Sequence, residues 1–196
     1  FKGCSSLKSI SIPSSLEYLA SSTFEGCTSL EKIIIPSSIQ RIERLAFKGC
    51  SSLLHVSILS SIDAINESTF EGCSSLKEII IPTTIRSIRD MSFKECTSLI
   101  NISIPSSVQW IGNSAFQGCS SIQKIVIPQL ISSISQCEFE GCTSLSEITI
   151  SSSIQGINNN AFLGIKYLTI NGNIEKIPNN SFKNCSSLER IIINVE

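Results

Sequence analysis

The sequence predicts an elongated solenoid, in which one short coil of chain is repeated from end to end. Phenylalanine recurs every 23 residues through seven intervals, and the eighth interval is 20 residues. A fixed period of this length is typical of solenoid architectures. The same strand and turn patterns follow each phenylalanine, as in the copy at 70–92, FEGCSSLKEIIIPTTIRSIRDMS. The phenylalanine column consists of Phe1, Phe24, Phe47, Phe70, Phe93, Phe116, Phe139, Phe162 and Phe182.

Each copy contains a strand signal, L-x-x-I-x-I, in which apolar and other residues alternate. Period-2 alternation around β-branched residues indicates a short strand. Proline then lacks an N–H donor and restricts φ, so it ends the strand and turns the chain. Two small polar residues after it favour a tight turn. The prolines at this position are Pro13, Pro36, Pro82, Pro105 and Pro128.

The rest of each copy returns the chain to its starting side. In the second copy, Ile39 and Ile42 are apolar positions three residues apart that belong to the returning segment. The following stretch 46–50, A-F-K-G-C, predicts a short 3₁₀ or helical turn. These segments are too short for a long α-helix, so we expect strands and turns with little regular helix.

We expect the whole chain, 1–196, to form a single array of about nine copies. The two open sides of one coil expose its apolar residues, so neighbouring copies must cover them. The chain starts at Phe1 without an initiator methionine and ends at Glu196, both inside a copy. We therefore interpret the sequence as a fragment of a longer protein.

These motifs resemble a known class of repeat. The segment Leu76–Ile81 is similar to the strand segment of leucine-rich repeats. The 23-residue length, the proline after the strand and the A-F-x-G-C motif at 46–50 and 115–119 resemble the Treponema pallidum or BspA-like class. The resemblance covers the whole chain. It implies a curved leucine-rich-repeat solenoid with a parallel β-sheet on the concave side and turns with short 3₁₀ or strand segments on the convex side.

The resemblance also implies a function. Members of this class are typically surface adhesion or interaction proteins. We therefore expect a non-catalytic protein-interaction module at the cell surface or outside the cell, used for adhesion or ligand binding. The alternative is a cytoplasmic scaffold or a cytoskeleton-associated repeat protein. Unpaired cysteines fit that reducing compartment at least as well.

Composition argues against several other partners. The chain has 15 basic and 16 acidic residues, so it carries no excess positive charge that would attract nucleic acid. Its apolar runs are far shorter than the ~18 residues of a membrane span, so we expect no membrane insertion within this chain. It contains neither a P-loop nor a G-x-G-x-x-G motif, and we expect no cofactor.

Catalytic and metal sites are not indicated. His55 is the single histidine, and the two aspartates, Asp63 and Asp90, are not its neighbours in sequence, so we expect no Ser-His-Asp arrangement. Eight cysteines form a column three residues after the phenylalanines, without any C-x-x-C pair, so we expect buried thiols rather than a zinc site. Cys137 lies outside the column. It could bridge to Cys142 or remain a reactive free thiol.

The candidate partner-binding residues flank the inward isoleucines of the strands and should point outward on the concave face. One column varies freely, and the other alternates serine with isoleucine or valine, which indicates a double repeat of 46 residues. A protein or a glycan is the expected ligand, and the alternative is that these residues only favour strand formation. Tyr18 and Trp110 on the returning side offer another contact point. The candidate residues are Lys32, Ile34, His55, Ser57, Glu78, Ile80, Asn101, Ser103, Lys124, Val126, Glu147 and Thr149.

The copy at 162–181 is irregular because three residues, including the column cysteine, are missing after Phe162. Counting from the inward residues, Tyr167 and Arg190 continue the first outward column and Thr169 the second. We expect a tighter turn at 171–173 and a local change of curvature. The last strand should have an open edge, so further repeats or end-to-end self-association should cover it.

Overall fold

The computed structural model describes residues 1–150, 154–172, 177, 179 and 181–194, and in them the chain forms a stack of parallel coils. The described residues form strands and turns and contain no helix. The strands are β1 (Tyr18–Leu19), β2 (Lys32–Ile35), β3 (Arg41–Ile42), β4 (His55–Ile58), β5 (Ala64–Ile65), β6 (Glu78–Ile80), β7 (Ser87–Ile88), β8 (Asn101–Ser103), β9 (Trp110–Ile111), β10 (Lys124–Val126), β11 (Ser133–Ile134), β12 (Glu147–Thr149), β13 (Gly156–Ile157), β14 (Tyr167–Asn171) and β15 (Arg190–Asn194).

The strands form two ladders on different sides of the stack; each ladder is divided into three sheets, and every pairing is parallel. The even-numbered strands and β15 form the first ladder, in which paired residues are 23 positions apart, as Lys32 and His55 are, except between β12 and β14, where the interval is 22. The odd-numbered strands from β1 to β13, two residues each, form the return ladder. Seven return strands mark about seven coils, slightly fewer than the predicted nine repeats. The return segment of the eighth copy falls largely outside the described residues, and the ninth is described only to β15.

The core lies between the ladders and is made of columns of similar apolar residues, such as the phenylalanines. In β2, Ile33 and Ile35 are buried whereas Ile34 is exposed, as the alternation predicts. The phenylalanines from Phe1 to Phe182 stack in one continuous series with ring centroids 5.4–6.0 Å apart. Each phenylalanine between 24 and 162 is completely enclosed by the copies on either side.

The phenylalanine spacing also shows which side of the solenoid is longer. Equivalent points on paired strands are about 4.8 Å apart, whereas the phenylalanine rings of successive copies are 5.4–6.0 Å apart. The stack is therefore wider at the phenylalanine turns than at the long strands. This confirms that the sheet lies on the concave side.

The turn around each phenylalanine is built from two residues in the left-handed backbone region, and it is not a 3₁₀ helix. Two residues before the phenylalanine, φ is between 53° and 63°, as at Ser22 and Asn160. Two residues after it, φ is between 71° and 87° at the glycines of the G-C motif, and Glu95 takes this position in the fifth copy with φ 59°. A helix cannot continue through such residues, so the segment forms consecutive hydrogen-bonded turns.

The irregular copy is buried as predicted but pairs in a different register. Ile165, Leu168 and Ile170 all point inward. However, Ile170 lies opposite Ile148, so Thr169 lies opposite Glu147. The placement of Tyr167 and Arg190 in the first outward column was therefore wrong. The reason is that Leu168 adds an inward position before the shared register begins, so β14 starts two residues earlier than the regular strands.

The phenylalanine rings are least parallel at this copy. The ring planes of Phe162 and Phe182 differ by 22°, whereas all the earlier pairs differ by 13° or less. The chain leaves β14 at Gly172, which has φ 133°, and a side chain there would collide with the carbonyl oxygen of Ile150. The predicted turn at 171–173 ends on Asn173, which lies outside the described residues.

Candidate partner-binding site on the concave sheet

We define the strand face as the twelve predicted residues on the concave sheet. Ten of them are exposed, and Glu147 and Thr149, which precede the irregular copy, are half-buried. They lie in two straight columns because residues in register on parallel strands share a side of the sheet. The structure therefore brings all twelve residues to one surface.

Three large apolar side chains project from this surface and form what we call the apolar ridge. Ile34 is 60% exposed, Ile80 is 84% exposed and Val126 is 62% exposed. Ser57 and Ser103 occupy the strands between them. Successive ridge residues are therefore two strands apart along the first ladder.

Shallow cavities lie where a serine strand adjoins a ridge residue. A cavity of about 310 Å³ is lined by Ser9–Ile12 together with Lys32, Ile33, Ile34 and Pro36. A second cavity of about 360 Å³ is lined by Ile102–Ile104 and Lys124–Val126. The strand face is therefore corrugated, with three apolar projections and with depressions beside Ile34 and Val126.

Charged residues flank the ridge in the same double period. Lys32, Glu78 and Lys124 stand beside Ile34, Ile80 and Val126 on their respective strands. Lys124 forms an ion pair with Glu147 at 2.6 Å, whereas Lys32 and Glu78 form no ion pair with another described residue. The charge order along the ridge is positive, negative, positive.

His55 is exposed at the start of β4 and is not joined to a carboxylate among the described residues. Asp90 accepts a hydrogen bond from the backbone N–H of Asn113 at 2.9 Å, at the start of the turn before Phe93. The structure thus does not bring the histidine and this aspartate together.

The cysteine column has a hydrogen-bonding role that the sequence pattern did not reveal. In six successive copies the thiol donates to the carbonyl oxygen of the phenylalanine one copy earlier, with sulfur–oxygen distances of 3.1–3.3 Å, as Cys73 does to Phe47. Burial raises the pKa of Cys50 and of Cys142 to about 12. These thiols remain protonated at neutral pH, which disfavours both metal ligation and oxidation. No cluster of potential metal ligands occurs among the described residues.

Cys137 is half-buried, and all nine cysteines are free, so no bridge joins Cys137 to Cys142. Burial, with a further contribution from the side chain of Glu140, raises the pKa of Cys137 to about 11. A thiol with a raised pKa is a weaker nucleophile at neutral pH. This argues against the interpretation of Cys137 as a reactive thiol.

A buried carboxyl group lies beside Phe139 and was not predicted from the sequence. Glu138 is only 1% exposed, although the other described copies have alanine, serine or threonine at this position. Its Oε2 accepts a hydrogen bond from the backbone N–H of Ser135 at 2.7 Å, and its Oε1 has no partner among the described residues. Burial raises the pKa of Glu138 to about 8. The sequence signal for this buried carboxyl group is that a glutamate stands where the other copies have a small residue.

The return ladder carries the alternative contact point. Tyr18 and Trp110 are 55% and 46% exposed and share a column four strands apart. A polar cavity of about 530 Å³ beside Tyr18 is lined by Glu17, Tyr18, Gln40, Arg41, Ser61 and Asp63. Both faces of the solenoid thus expose aromatic or aliphatic groups, but only the strand face repeats them at a regular interval.

The parallel coils, the inward leucine and isoleucine columns and the exposed concave sheet together define a leucine-rich repeat solenoid. The profile of the BspA type leucine-rich repeat region matches residues 1–123 and 110–196, in six copies. The chain belongs to this family.

Solved structures agree with this assignment. A leucine-rich repeat protein from Bacteroides ovatus is 29% identical with a TM-score of 0.78, over 99% of this chain and 56% of that protein. The T. pallidum leucine-rich repeat protein is 28% identical with a TM-score of 0.69, over 80% of this chain and 77% of that protein. The pneumococcal vaccine antigen PcpA, at 19% identity, shares the fold, with a TM-score of 0.61 over 84% of this chain and 41% of that protein.

The chain spans little more than half the length of the Bacteroides ovatus protein. No curated protein is significantly similar to it in sequence. None of the described residues belongs to a helix that could cross a membrane.

Proposed function

We propose that the chain is a non-catalytic module that binds a protein ligand through the strand face, and that it serves adhesion or ligand binding at the cell surface. Leucine-rich repeat proteins generally bind protein partners, and this chain has the family's repeats along its whole length. A long concave sheet offers one continuous surface to an extended ligand.

The apolar ridge is the observation that carries this proposal. A soluble protein has no folding requirement for isoleucine at a position as exposed as Ile80, which is 84% exposed. Three such residues recur in one column, in every second copy, and this regular exposure of separated apolar groups supports an interaction surface. The serines of the intervening strands show that the strand itself does not require an aliphatic residue there.

Shielding of the cysteines is compatible with an extracellular location. The six hydrogen-bonded column thiols are buried and have raised pKa values or are held by a carbonyl acceptor. They would survive unpaired in an oxidising environment because oxidants act on accessible thiolates. Antibody staining of intact cells tests the location, and staining only after permeabilisation would favour the cytoplasmic scaffold.

The binding surface is tested with peptides selected for affinity to the wild-type chain from a random peptide library. In the ridge variant, Ile34→Asp, Ile80→Asp and Val126→Asp are combined. We expect affinities to fall about 100-fold, since buried apolar anchors dominate binding energy. The control combines Tyr18→Asp, Trp110→Asp and Leu130→Asp, which removes comparably exposed apolar groups outside the strand face.

Circular dichroism and thermal unfolding establish that both variants fold. If the selected peptides bind the ridge variant as tightly as the wild type, the strand face is not the binding surface. If affinity for the selected peptides falls only in the control variant, the binding site lies on the return ladder.

A further inference from the structure

We propose that the polar cavity on the return ladder is a second binding site, and that it takes an arginine side chain of a partner protein. It lies outside the strand face, so the inference goes beyond the proposed function and does not rest on it. It follows from a break in the return ladder and from the charge of the groups around that break. We call it the seam cavity, and it is lined by Glu17, Tyr18, Gln40, Arg41, Ser61 and Asp63.

The seam cavity lies where the return ladder is interrupted between β3 and β5, which belong to separate sheets. On either side of this break a backbone hydrogen bond joins neighbouring copies. The N–H of Gln40 donates to the carbonyl oxygen of Glu17, and the N–H of Arg86 donates to that of Asp63, both at 2.7 Å. Among the described residues, no such bond joins the N–H of Asp63 to the carbonyl oxygen of Gln40. These two backbone groups therefore have no partner on the neighbouring copy.

A side-chain bridge is also missing at this break. At three junctions where return strands pair, the hydroxyl group two residues after the proline donates to a carbonyl oxygen of the previous copy at 2.7–2.8 Å. Within the described part of the chain, Ser61 forms no such bond to Ile39. At the other break, between β9 and β11, Leu130 holds this position and has no hydroxyl. The three bridges run from Ser38 to Leu16, from Thr84 to Ile62 and from Ser107 to Ile85.

The third copy differs because Leu59 stands where five other copies have the proline that ends the strand. Leu59 has an N–H, which donates to the carbonyl oxygen of Ile35 at 2.9 Å, so the strand pairing continues one residue further. Ser60 is then buried, whereas the equivalent residues of the other described copies are exposed. Ser61 consequently lines the cavity instead of bridging to the second copy.

The groups around the seam cavity carry a net negative charge. Glu17 and Asp63 are exposed and form no ion pair with another described residue. The single cation of the lining, Arg41, is already paired with Glu43, with 2.6 Å between its Nε and the carboxylate oxygen. Two uncompensated carboxylates therefore remain, and the complementary ligand is a cation.

The same groups are mainly hydrogen-bond acceptors, which favours a ligand with many donors. The side chains of Gln40 and Ser61 line the cavity and have no hydrogen-bond partner in the described part of the chain. Tyr18 adds an exposed aromatic ring. A guanidinium group has a permanent positive charge, five N–H donors and a planar face that stacks on aromatic rings. The ammonium group of lysine has three donors and is more strongly hydrated, so arginine matches this lining better.

The experiment titrates three peptides into the isotope-labelled chain and follows its backbone amide signals by NMR. They are acetyl-Gly-Arg-Gly-amide and the same peptide with lysine or with citrulline, the neutral isostere of arginine. We expect the arginine peptide to shift the signals of Gln40 and Asp63 with a Kd on the order of 1 mM, since a single side chain offsets little of the cost of association. The citrulline peptide should bind about tenfold more weakly and the lysine peptide about fivefold more weakly. Equal affinity of either one with the arginine peptide would overturn the proposal.

Removal of the two free carboxylates tests the charge argument. Glu17→Gln combined with Asp63→Asn should weaken binding of the arginine peptide about tenfold or more. Glu31→Gln combined with Glu67→Gln is the matched control, because it removes the same charge at exposed positions outside the cavity. It should leave the affinity unchanged. Equal losses in the two variants would show that only the overall charge attracts the peptide, and the site would be overturned.

The origin of the cavity can be tested without changing a lining residue. Leu59→Pro restores the residue of the regular copies and should return the hydroxyl of Ser61 to the carbonyl oxygen of Ile39. The cavity then closes, and affinity for the arginine peptide should fall about tenfold. Circular dichroism establishes that this variant folds, and unchanged affinity in the folded variant would contradict the link between the break and the site. If Leu59→Pro does not fold, the variant lacking the two carboxylates decides the question.

Failure of this inference is distinguishable from failure of the proposed function. A library-selected peptide that binds the seam cavity should lose affinity for the variant containing Tyr18→Asp and keep its affinity for the ridge variant. A peptide that binds the strand face should do the reverse. If the arginine peptide does not shift the signals of Gln40 and Asp63, the seam cavity is not an arginine site, and the strand-face proposal is unaffected.

Discussion

Glu138 occupies a position that every other described copy reserves for a small side chain, and its carboxyl group is enclosed by the stack. Ionisation of a buried carboxyl group is unfavourable, and burial raises the pKa of this one to about 8. In the unfolded chain the pKa of glutamate is 4.5. The folded protein therefore binds a proton more tightly than the unfolded chain does.

This difference predicts a loss of stability at alkaline pH. The contribution of Glu138 is fully present below pH 4.5 and declines as pH rises toward 8, by about 1.4 kcal/mol per pH unit. Glu138→Ala should therefore unfold at higher denaturant concentration than the wild type at pH 8.5, with a smaller advantage at pH 5. Glu31→Ala removes an exposed carboxylate and is the control. A constant difference between Glu138→Ala and wild type across this range would show that Glu138 is not buried in the protonated form.

Glu95 provides a second prediction for a single residue. It holds φ 59° at a position where seven copies have glycine and the ninth has Asn184, with φ 67°. Glycine adopts this conformation without strain, whereas other residues lose roughly 1–2 kcal/mol. Glu95→Gly should therefore stabilise the protein by about 0.5–1 kcal/mol in urea unfolding, after the greater entropy of glycine in the unfolded chain is included. The reverse change, Gly72→Glu, should destabilise by a similar amount, and opposite signs would contradict the strain argument.

The core residues of a regular copy could be predicted from the sequence, and their partners could not. In the copy at 70–92 the periodic apolar positions predict seven inward residues, and all seven are buried: Phe70, Cys73, Leu76, Ile79, Ile81, Ile85 and Ile88. The hydrogen bonds from six column cysteines to phenylalanine carbonyls depend on stacking geometry between copies. A single-copy pattern contains no information about that geometry.

At the scale of one structural element, the phenylalanine stack joins all the copies. Phe93→Ala should destabilise by about 3–5 kcal/mol, because it leaves a cavity that the neighbouring rings at 5.5 and 5.6 Å cannot close. Phe1→Ala is the control, since Phe1 is 61% exposed at one end of the stack and should lose much less. Urea unfolding measures both, and equal losses would show that the rings do not act as a continuous core.

The strand ladder shows where prediction of an element stops. The regular strands and their outward columns followed from the repeat alone, because a constant interval of 23 residues keeps the register constant. The three-residue deletion in the copy at 162–181 breaks this interval, so the interval no longer predicts the register there. Two alignments then placed apolar residues inward, and the choice was made by Ile170 packing on Ile148. That is a contact between copies rather than a property of either sequence.

For the whole molecule, the open edge of the sheet predicts self-association. β15 pairs with β14 on one side and has no second strand partner among the described residues, and Ile191 is 37% exposed. Unpaired strand edges recruit other strands. We expect this chain to sediment as a concentration-dependent oligomer, and Ile191→Lys should shift it toward the monomer. Val126→Lys is the control, because it adds the same charge on the strand face, away from the edge. A wild-type chain that remains monomeric at high concentration would contradict the prediction.

The architecture of the whole molecule was thus the part best predicted, and its ligand the part least predicted. Repetition determines how copies stack, since each copy contacts only near-identical neighbours. Recognition depends on the outward residues, such as Lys32 and Glu78, which differ from copy to copy and do not affect the stack. The fold can be inferred from the inward residues that recur in every copy, whereas binding depends on the outward residues that differ between copies.

The two-copy period of the ridge has a consequence for how such a gene can change length. Loss of a single 23-residue unit by recombination would preserve the core, because any copy can stack on any other. Removal of the copy containing Ser57, however, would place Ile34 directly beside Ile80 and convert a corrugated surface into a flat apolar patch. Gain or loss of two units together would keep the alternation of serine with isoleucine or valine along the strand face. Length variants that retain binding should therefore differ by multiples of 46 residues.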